Sequence, residues 1–216
     1  PDFDPNNHDS LLGSVGFNSV TKGVYEMGSA FKLFTTAMAL DTGTVGLKDG
    51  YDASKPIKIS RFIIKDYHGK NRWLTVPEIL IHSSNIGAAK MSLDVGTKTQ
   101  KYYLDQLGLL QPLNIELPEI GQPQYPSRWG DISTMTISYG HGISVSPLQL
   151  AWAVSTLVNG GKRMPLSLLK HHSLEPPVGT RVLSEETSLQ MRKLMHLVVT
   201  DGTGKKAAAP GYLVGG

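Results

Sequence analysis

The sequence predicts an α+β domain in which helices dominate. Its 216 residues, of which 40% are hydrophobic and 18% charged, suffice for one compact unit with a real core. Six segments begin with helix-capping residues or end at glycine, and only two short stretches have the composition of strands. We therefore expect a single domain over residues 1–216.

The first three predicted helices follow one another in the first half of the chain. Segment 29–41 is apolar on nearly all sides, so we expect a helix in the middle of the domain that begins at Ser29. Segment 75–83 has Thr75 as its N-cap and stops at a serine-rich turn. The third helix, 86–95, starts directly after this turn.

The later helices are predicted from their side-chain caps. Thr97 and Gln100 have the spacing of a capping box, and Ser146 with Gln149 repeats it. Ser184 precedes two glutamates, which also favours a helix start. The three helices are 97–107, 146–158 and 184–200. We expect the last two to pack on a sheet.

Strand signals are fewer. Residues 56–67 contain Ile57, Ile59, Phe62, Ile63 and Ile64, which predicts a strand or a hairpin. An extended run is predicted to begin at 211–214.

Charge and composition exclude several classes of function. The net charge is only +3 and the basic residues are scattered, so no nucleic-acid partner is predicted. The absence of cysteine removes disulfides, thiolate metal sites and cysteine nucleophiles. No apolar run approaches the roughly 18 to 20 residues that span a bilayer.

No cofactor or metal is predicted, because no pair among the seven histidines has convincing ligand spacing. His171–His172 is expected in a loop with a structural or solvated role. His141 lies between two glycines, and it either shapes the floor of a groove or simply occupies a turn.

The chemistry of the chain centres on Gly28-Ser29-Ala30-Phe31-Lys32. Residues at positions i and i+3 of a helix share one face, so the Ser29 hydroxyl and the Lys32 amine are expected within hydrogen-bonding distance. A lysine serves as base only if its surroundings lower its pKa from about 10.4 toward 7. Burial in an apolar helix is the first cause to expect.

Ser-x-x-Lys alone is a weak signal, and Ser19–Lys22 and Ser167–Lys170 match it too. In the competing interpretation Ser29 merely caps a helix and Lys32 reaches the surface. The second element is the turn His82-Ser83-Ser84-Asn85. Ser83 is suited to relay a proton and the Asn85 amide to hold both the lysine and a substrate, although such residues also simply cap helices.

Together these segments resemble the transpeptidase domain of class B penicillin-binding proteins, especially the septal, cell-division type. The segments Tyr25–Lys32 and Ile81–Gly87 are similar to the family's first two motifs. Two further stretches, Tyr139–Leu150 and Asp201–Ala207, are similar to family segments in the same order. The resemblance extends from about Phe17 to Gly216.

The resemblance implies a penicillin-binding/β-lactamase-like transpeptidase fold, in which a helical subdomain packs on an antiparallel sheet beside the active site. It implies that Ser29 attacks the bond between the terminal D-alanines of a peptidoglycan stem peptide, forms an acyl-enzyme and passes the acyl group to an amine. Lys32 would be the base, Ser83 and Asn85 would serve proton transfer and positioning, and Ser84 and Asn85 would contact substrate.

The same resemblance implies further properties of the whole protein. β-Lactam antibiotics would acylate Ser29. A single-pass anchor upstream would hold the domain at the bacterial inner membrane, facing the periplasm. Division-complex membrane proteins, including a glycan polymerase, would be its partners.

One departure from the family pattern concerns a third motif, Lys-Thr-Gly on a sheet-edge strand, which this sequence lacks; in relatives it would follow Gly216 directly. The start Pro1–Pro5 also has neither an initiator Met nor a basic leader. We therefore expect a domain truncated at both ends, which alone would be weak or inactive.

Two alternatives stay open at this point. A β-lactamase or D,D-carboxypeptidase would use the same serine and lysine but would pass the acyl group to water. It would need a carboxylate to activate that water, for which Glu78, Glu116 and Glu119 are the candidates. A non-catalytic β-lactam sensor or scaffold would keep the fold without needing the chemistry.

Overall fold

The fold was analysed in a computed structural model, which describes residues 6–7, 16–59, 62–170 and 177–216. The His171–His172 pair and the start Pro1–Pro5 lie outside these residues. The described helices are α1 (Phe31–Asp41), α2 (Val76–Ile81), α3 (Asn85–Val95), α4 (Thr97–Gln106), α5 (Asp131–Ile137), α6 (Pro147–Val158) and α7 (Glu185–Thr200). The strands are β1 (Gly50–Asp52), β2 (Ile57–Ile59), β3 (Phe62–Ile64), β4 (Trp73–Thr75), β5 (Lys162–Arg163) and β6 (Thr180–Arg181).

Helix α1 is the centre of the core, as its all-round apolar sequence predicts. Phe31, Phe34 and Met38 are completely buried, with the two phenylalanine rings packed edge to face. The helices around α1 are α2, α3, α4, α6 and α7. A helix packed on so many sides is a rigid platform for any group at its start.

The region before α1 differs from the prediction. Helix α1 begins at Phe31, and Gly28–Ala30 form a separate turn of 3₁₀ helix. Gly28 takes the left-handed conformation with φ of +55°, which is open to glycine at little cost. Ser29 therefore lies in a tight turn that leads into the helix.

The strands form three antiparallel pairs within the described residues. β1 pairs with β4, β5 with β6, and β2 with β3, which confirms the hairpin predicted in 56–67. The run 211–214 is not part of a strand in the structure. The described chain has no larger sheet beneath α6 and α7, which pack on each other instead of on the sheet that the sequence predicted.

Side-chain caps fix several helix starts as predicted. Thr75 with Glu78, and Ser146 with Gln149, make complete capping boxes, and Ser184 caps α7. The box predicted at Thr97 is wrong. Gln100 is pulled into the core, where it donates to the Thr134 carbonyl and accepts from the indole of Trp129.

The chain reverses sharply between α2 and α3, and a glycine makes the reversal possible. A Cβ on Gly87 would lie 2.5 Å from Cγ1 of Ile79, so the two helices approach more closely than any larger residue would permit. This close contact fixes how α2 and α3 meet at the serine-rich turn 82–84.

None of the described helices is both long and apolar enough to cross a membrane. Helices combined with small antiparallel sheets match the predicted α+β class.

Candidate active site

Ser29 and Lys32 meet at the entry to α1. The Lys32 amine lies 2.9 Å from the Ser29 hydroxyl oxygen. Side chains three residues apart nearly eclipse one another in a 3₁₀ turn, so the tight turn at Gly28–Ala30 favours this contact more than a regular α-helix would. The alternative in which Lys32 reaches the surface is wrong, because this residue is only 2% exposed.

Ser83 completes a triangle of polar atoms with these two residues. Its hydroxyl lies 2.8 Å from Lys32 Nζ and 3.1 Å from Ser29 Oγ, and its backbone carbonyl lies 2.9 Å from the same amine. A protonated amine would donate to all three oxygens. A neutral amine has two N–H groups and one lone pair, so it is able to donate to Ser83 and accept the Ser29 proton.

The surroundings of Lys32 shift its protonation equilibrium toward the neutral form. Burial lowers the pKa of Lys32 from 10.5 to about 8, and the negative charge of Asp66 opposes part of this effect. Desolvation is therefore the larger cause, as the sequence predicts. At neutral pH about a tenth of such amines are unprotonated, which is a useful concentration of base.

The Ser83 backbone is in an unusual conformation. Its φ is +53°, a left-handed value that non-glycine residues adopt at some cost. Hydrogen bonds from Ser83 N to Leu80 O and from Ser84 N to Ile79 O hold the turn in this shape. Ser83, the residue in this strained conformation, is the one that contacts both Ser29 and Lys32.

Ser84 has a structural contact where the resemblance implied a substrate contact. It is 1% exposed, and its hydroxyl caps α3 by accepting from Gly87 N and donates to Asp66. Asp66 also accepts from Ile86 N. These bonds occupy the Ser84 hydroxyl inside the protein, away from any groove.

The Asn85 amide nitrogen points toward a different partner than expected. It donates to the Lys65 carbonyl at 3.1 Å, so it ties the start of α3 to the loop that follows β3. The sequence predicted a hydrogen bond between the Asn85 amide and Lys32. In the structure, the Lys32 amine binds both oxygens of Ser83 instead.

A cavity of about 280 Å³ opens beside the triangle. One wall comes from α1 and the turn after α2, and the opposite wall from the end of α7 and the segment after it. Its lining residues are Ser29, Ala30, Lys32, Leu33, Leu80, Ser83, Val198, Thr203, Gly204 and Gly216. The triangle therefore faces a space able to admit a small substrate group.

Thr203 and Gly204 are site residues that motif chemistry did not find. Thr203 N donates to the Ile81 carbonyl, which docks this segment onto the end of α2. A Cβ on Gly202 would lie 2.7 Å from that same carbonyl oxygen, so the close approach requires glycine. In the sequence, only the two glycines at 202 and 204 indicated that this segment approaches another part of the backbone closely.

None of the residues that line this cavity has a carboxylate side chain. Glu78 is bound to Arg72 and to its own helix cap, an environment that lowers its pKa to about 2. Glu116 accepts from Ser167 and from Leu168 N. Neither glutamate is placed to activate a water molecule beside Ser29.

The segment Tyr139–Val145 packs along the residues that precede Ser29. Tyr25 and Val145 exchange two backbone hydrogen bonds, and a Cβ on Gly140 would lie 2.1 Å from the Gly28 carbonyl oxygen. His141 is outside the cavity, on the surface, where its ring binds Glu26. Among the described residues, no three His, Asp or Glu side chains are grouped so as to hold a metal ion.

Comparisons with known proteins agree on one family. A family model described as "Penicillin binding protein transpeptidase domain" matches residues 1–216. The chain is 41% identical over 219 residues to the "Probable peptidoglycan D,D-transpeptidase FtsI" of Caulobacter vibrioides, covering 100% of this chain and 37% of the relative. It is 32% identical over 218 residues to the "Peptidoglycan D,D-transpeptidase FtsI" of Escherichia coli, covering 99% of this chain and 36% of the relative.

Solved structures are similar over most of the fold. The transpeptidase domain of Burkholderia pseudomallei penicillin-binding protein 3 superimposes with a TM-score of 0.87 and 33% identity, covering 93% of this chain and 61% of that one. A peptidoglycan glycosyltransferase from Burkholderia ambifaria gives a TM-score of 0.87 and 32% identity, covering 92% and 64%. These matches confirm the predicted fold class. The chain spans little more than a third of the length of the curated relatives cited here.

Proposed function

The chain belongs to the penicillin-binding protein transpeptidase family, and from this premise we propose that it carries the catalytic serine of a peptidoglycan D,D-transpeptidase. The observation that supports this most is the triangle of Ser29, Lys32 and Ser83, in which every pair of side chains lies between 2.8 and 3.1 Å apart. The names of the similar proteins, which describe D,D-transpeptidases, point to the same reaction.

Acylation would begin at the pair of Ser29 and Lys32. The neutral amine takes the hydroxyl proton as Ser29 Oγ attacks the carbonyl carbon between two D-alanines. The C–N bond then breaks, and the leaving D-alanine amine receives a proton from Lys32 through the Ser83 hydroxyl, which contacts both Lys32 and Ser29. The product is an ester between Ser29 and the stem peptide.

The second half-reaction would return the enzyme to its starting state. An amine of a neighbouring stem peptide attacks the ester carbonyl, and the same Lys32–Ser83 pair removes the proton from that amine. Ser29 leaves with a proton and a new peptide bond forms. A β-lactam would acylate Ser29 in the same way, because its strained amide mimics the D-alanyl-D-alanine end.

The cavity offers no separate base for hydrolysis. Water attacking the ester would have only the Lys32–Ser83 pair that also serves the amine, because none of the described lining residues has a carboxylate side chain. We therefore expect β-lactamase or carboxypeptidase activity to be the slower reaction. The buried Lys32 argues against a sensor or scaffold without chemistry. Burial of an amine lowers the stability of the protein, and a protein without catalysis would gain nothing from it.

We extend the proposal to the setting of the reaction. Stem peptides would be the substrate in septal wall synthesis, and the domain would face the periplasm from an inner-membrane anchor elsewhere in the protein. Division-complex membrane proteins, among them a glycan polymerase, would be its partners. Fractionation of cells and cross-linking of the whole protein would test these points separately from the chemistry.

The activity is tested with the whole protein and a synthetic pentapeptide donor plus an amine acceptor. The expected result is D-alanine release and cross-linked product in equal amounts, both lost in Ser29→Ala. Release of D-alanine without cross-linked product would instead identify a carboxypeptidase. Rescue of a depleted strain by Ser29→Ala would identify a scaffold.

A further inference from the structure

Glu26, three residues before Ser29, binds a second segment of the chain with both carboxylate oxygens. Oε1 accepts from the backbone N–H of Gly142 at 2.8 Å, and Oε2 lies 2.9 Å from Nδ1 of His141. Since an ionised carboxylate only accepts hydrogen bonds, the proton of that His141 contact belongs to Nδ1. The carboxylate thus clamps the turn 140–142.

The clamped turn supports the backbone of the nucleophile. Gly140 packs against Gly28 so closely that even a methyl group would overlap the Gly28 carbonyl. On one side of this contact Tyr25 and Val145 exchange backbone hydrogen bonds, and on the other Thr35 of α1 donates to Ser138 O. The Glu26 side chain ties the turn 140–142 to the segment that leads to Ser29.

Glu26 is so exposed that its removal should change the stability of the protein little, and an effect on acylation can therefore be measured separately. Its side chain is 45% exposed and that of His141 is 67% exposed, and ion pairs this exposed contribute little to stability. Glu26 does not line the cavity, so it does not touch a substrate there. An influence of Glu26 on acylation would therefore act through the conformation of the Gly28–Ser29 turn or through its charge, and Glu26→Gln separates the two.

We propose that Glu26 is a positioning residue for the nucleophile, which holds Gly140 beneath Gly28 so that Ser29 Oγ stays in contact with Lys32 and Ser83. This inference rests on the proposed function, because its consequence is measured on acylation of Ser29. Without the clamp, the turn 140–142 would move away from Gly28. The 3₁₀ turn would then sample conformations in which the Ser29 hydroxyl points away from its base.

The test measures acylation of the whole protein by a fluorescent penicillin, with the binding constant and the acylation rate constant determined separately. For Glu26→Ala we expect the rate constant to fall about 10- to 100-fold, the scale of a small misplacement of a reacting group, with binding unchanged. Glu26→Gln should recover most of the rate, because its amide oxygen still accepts from Gly142 N. His141→Ala, which leaves that bond intact, should lose less than Glu26→Ala.

The matched control is Glu185→Ala. Like Glu26→Ala, it removes an exposed ion pair, here the pair with Arg181 at the start of α7. Its acylation rate should equal that of the wild type. Thermal unfolding of every variant is recorded alongside. The expected midpoints lie close together, because each change removes an exposed ion pair and Glu26→Ala removes in addition one exposed hydrogen bond from Gly142 N.

Three results would overturn the inference: a wild-type acylation rate in Glu26→Ala, failure of Glu26→Gln to recover it, or a loss of rate matched by loss of folded protein. The last would make Glu26 structural. Failure of the proposed function looks different, since the wild-type protein would then form no adduct or Ser29→Ala would still form one.

Discussion

At the scale of single residues, the proposed chemistry depends on the protonation of Lys32. Its amine is buried beside two serine hydroxyls, and desolvation lowers its pKa to about 8 although Asp66 pulls the value upward. The base is thus available near neutral pH while three oxygens keep the protonated form tolerable. Among the described residues no carboxylate contacts this amine, so its burial lowers the stability of the fold while it keeps the base reactive.

The pH dependence of acylation is the first prediction. In the proposed mechanism only neutral Lys32 takes the Ser29 proton, so the acylation rate constant should rise about tenfold per pH unit below a midpoint near 8 and then level off. Stopped-flow measurements with a penicillin from pH 6 to 10 give this profile. A rate that is flat through pH 8 would remove Lys32 from the role of base.

Asp66 provides a second prediction at the same scale. Asp66→Asn keeps an oxygen for Ile86 N but removes the negative charge that raises the pKa of Lys32. The midpoint of the acylation profile should therefore move to lower pH than in the wild type. An upward shift, or none, would contradict the assigned electrostatic effect, and Asp94→Asn on the outer side of α3 is the control.

Stability should also respond to Lys32, in a direction fixed by linkage. The folded pKa of about 8 lies below the ordinary 10.5, so between these pH values the unfolded chain binds more protons. Folding stability should rise with pH through this window, by up to about 3 kcal/mol. Urea unfolding of the wild type and Lys32→Met at pH 7.5 and 10 tests this, since the variant should lack that part of the rise.

At the scale of elements, the reversal between α2 and α3 brings Ser83 to the other two residues. Its shape depends on Gly87, which lets Ile79 approach, and on the left-handed backbone of Ser83. The caps on both sides, at Thr75 and Ser84, fix where the helices begin. The turn is therefore determined by packing on one side and by backbone hydrogen bonds on the other.

The prediction at this scale is a coupling between Gly87 and Ile79. Gly87→Ala should destabilise the protein by roughly 1 to 3 kcal/mol through overpacking, although alanine is the better helix former. In an Ile79→Ala background the same change should be neutral or stabilising, because the overlapping atoms are gone. A double-mutant cycle by urea unfolding measures the coupling, and strictly additive effects would refute it.

Element prediction from the sequence succeeded where one local rule decides the outcome. The boxes at Thr75 and Ser146 form because Glu78 and Gln149 each keep one oxygen for the helix cap while their other polar atom binds elsewhere. The box at Thr97 fails because the core recruits Gln100 for Thr134 and Trp129, which are distant in sequence. Helix α5 was missed because its polar composition gives no clear apolar period.

At the scale of the whole molecule, the fold class and the pairing of Ser29 with Lys32 follow from short-range patterns. The approach of Ser83, 54 residues later, does not, because it is set by how α1, α2 and α3 pack. The resemblance to a family supplied that step before the structure did. The sequence could not predict that Ser84 caps α3, that Thr203 lines the cavity or that Glu26 binds the turn 140–142. Each of these contacts depends on which residues are neighbours in three dimensions.

The central claim, that a neutral Lys32 activates Ser29, is tested most directly by mapping the adduct of the whole protein with penicillin. Mass spectrometry of the digested adduct should place the acyl group on Ser29 in the wild type and find little of it in Lys32→Met under the same brief exposure. An adduct on any other residue, or equal labelling of Ser29 without the lysine, would contradict the account.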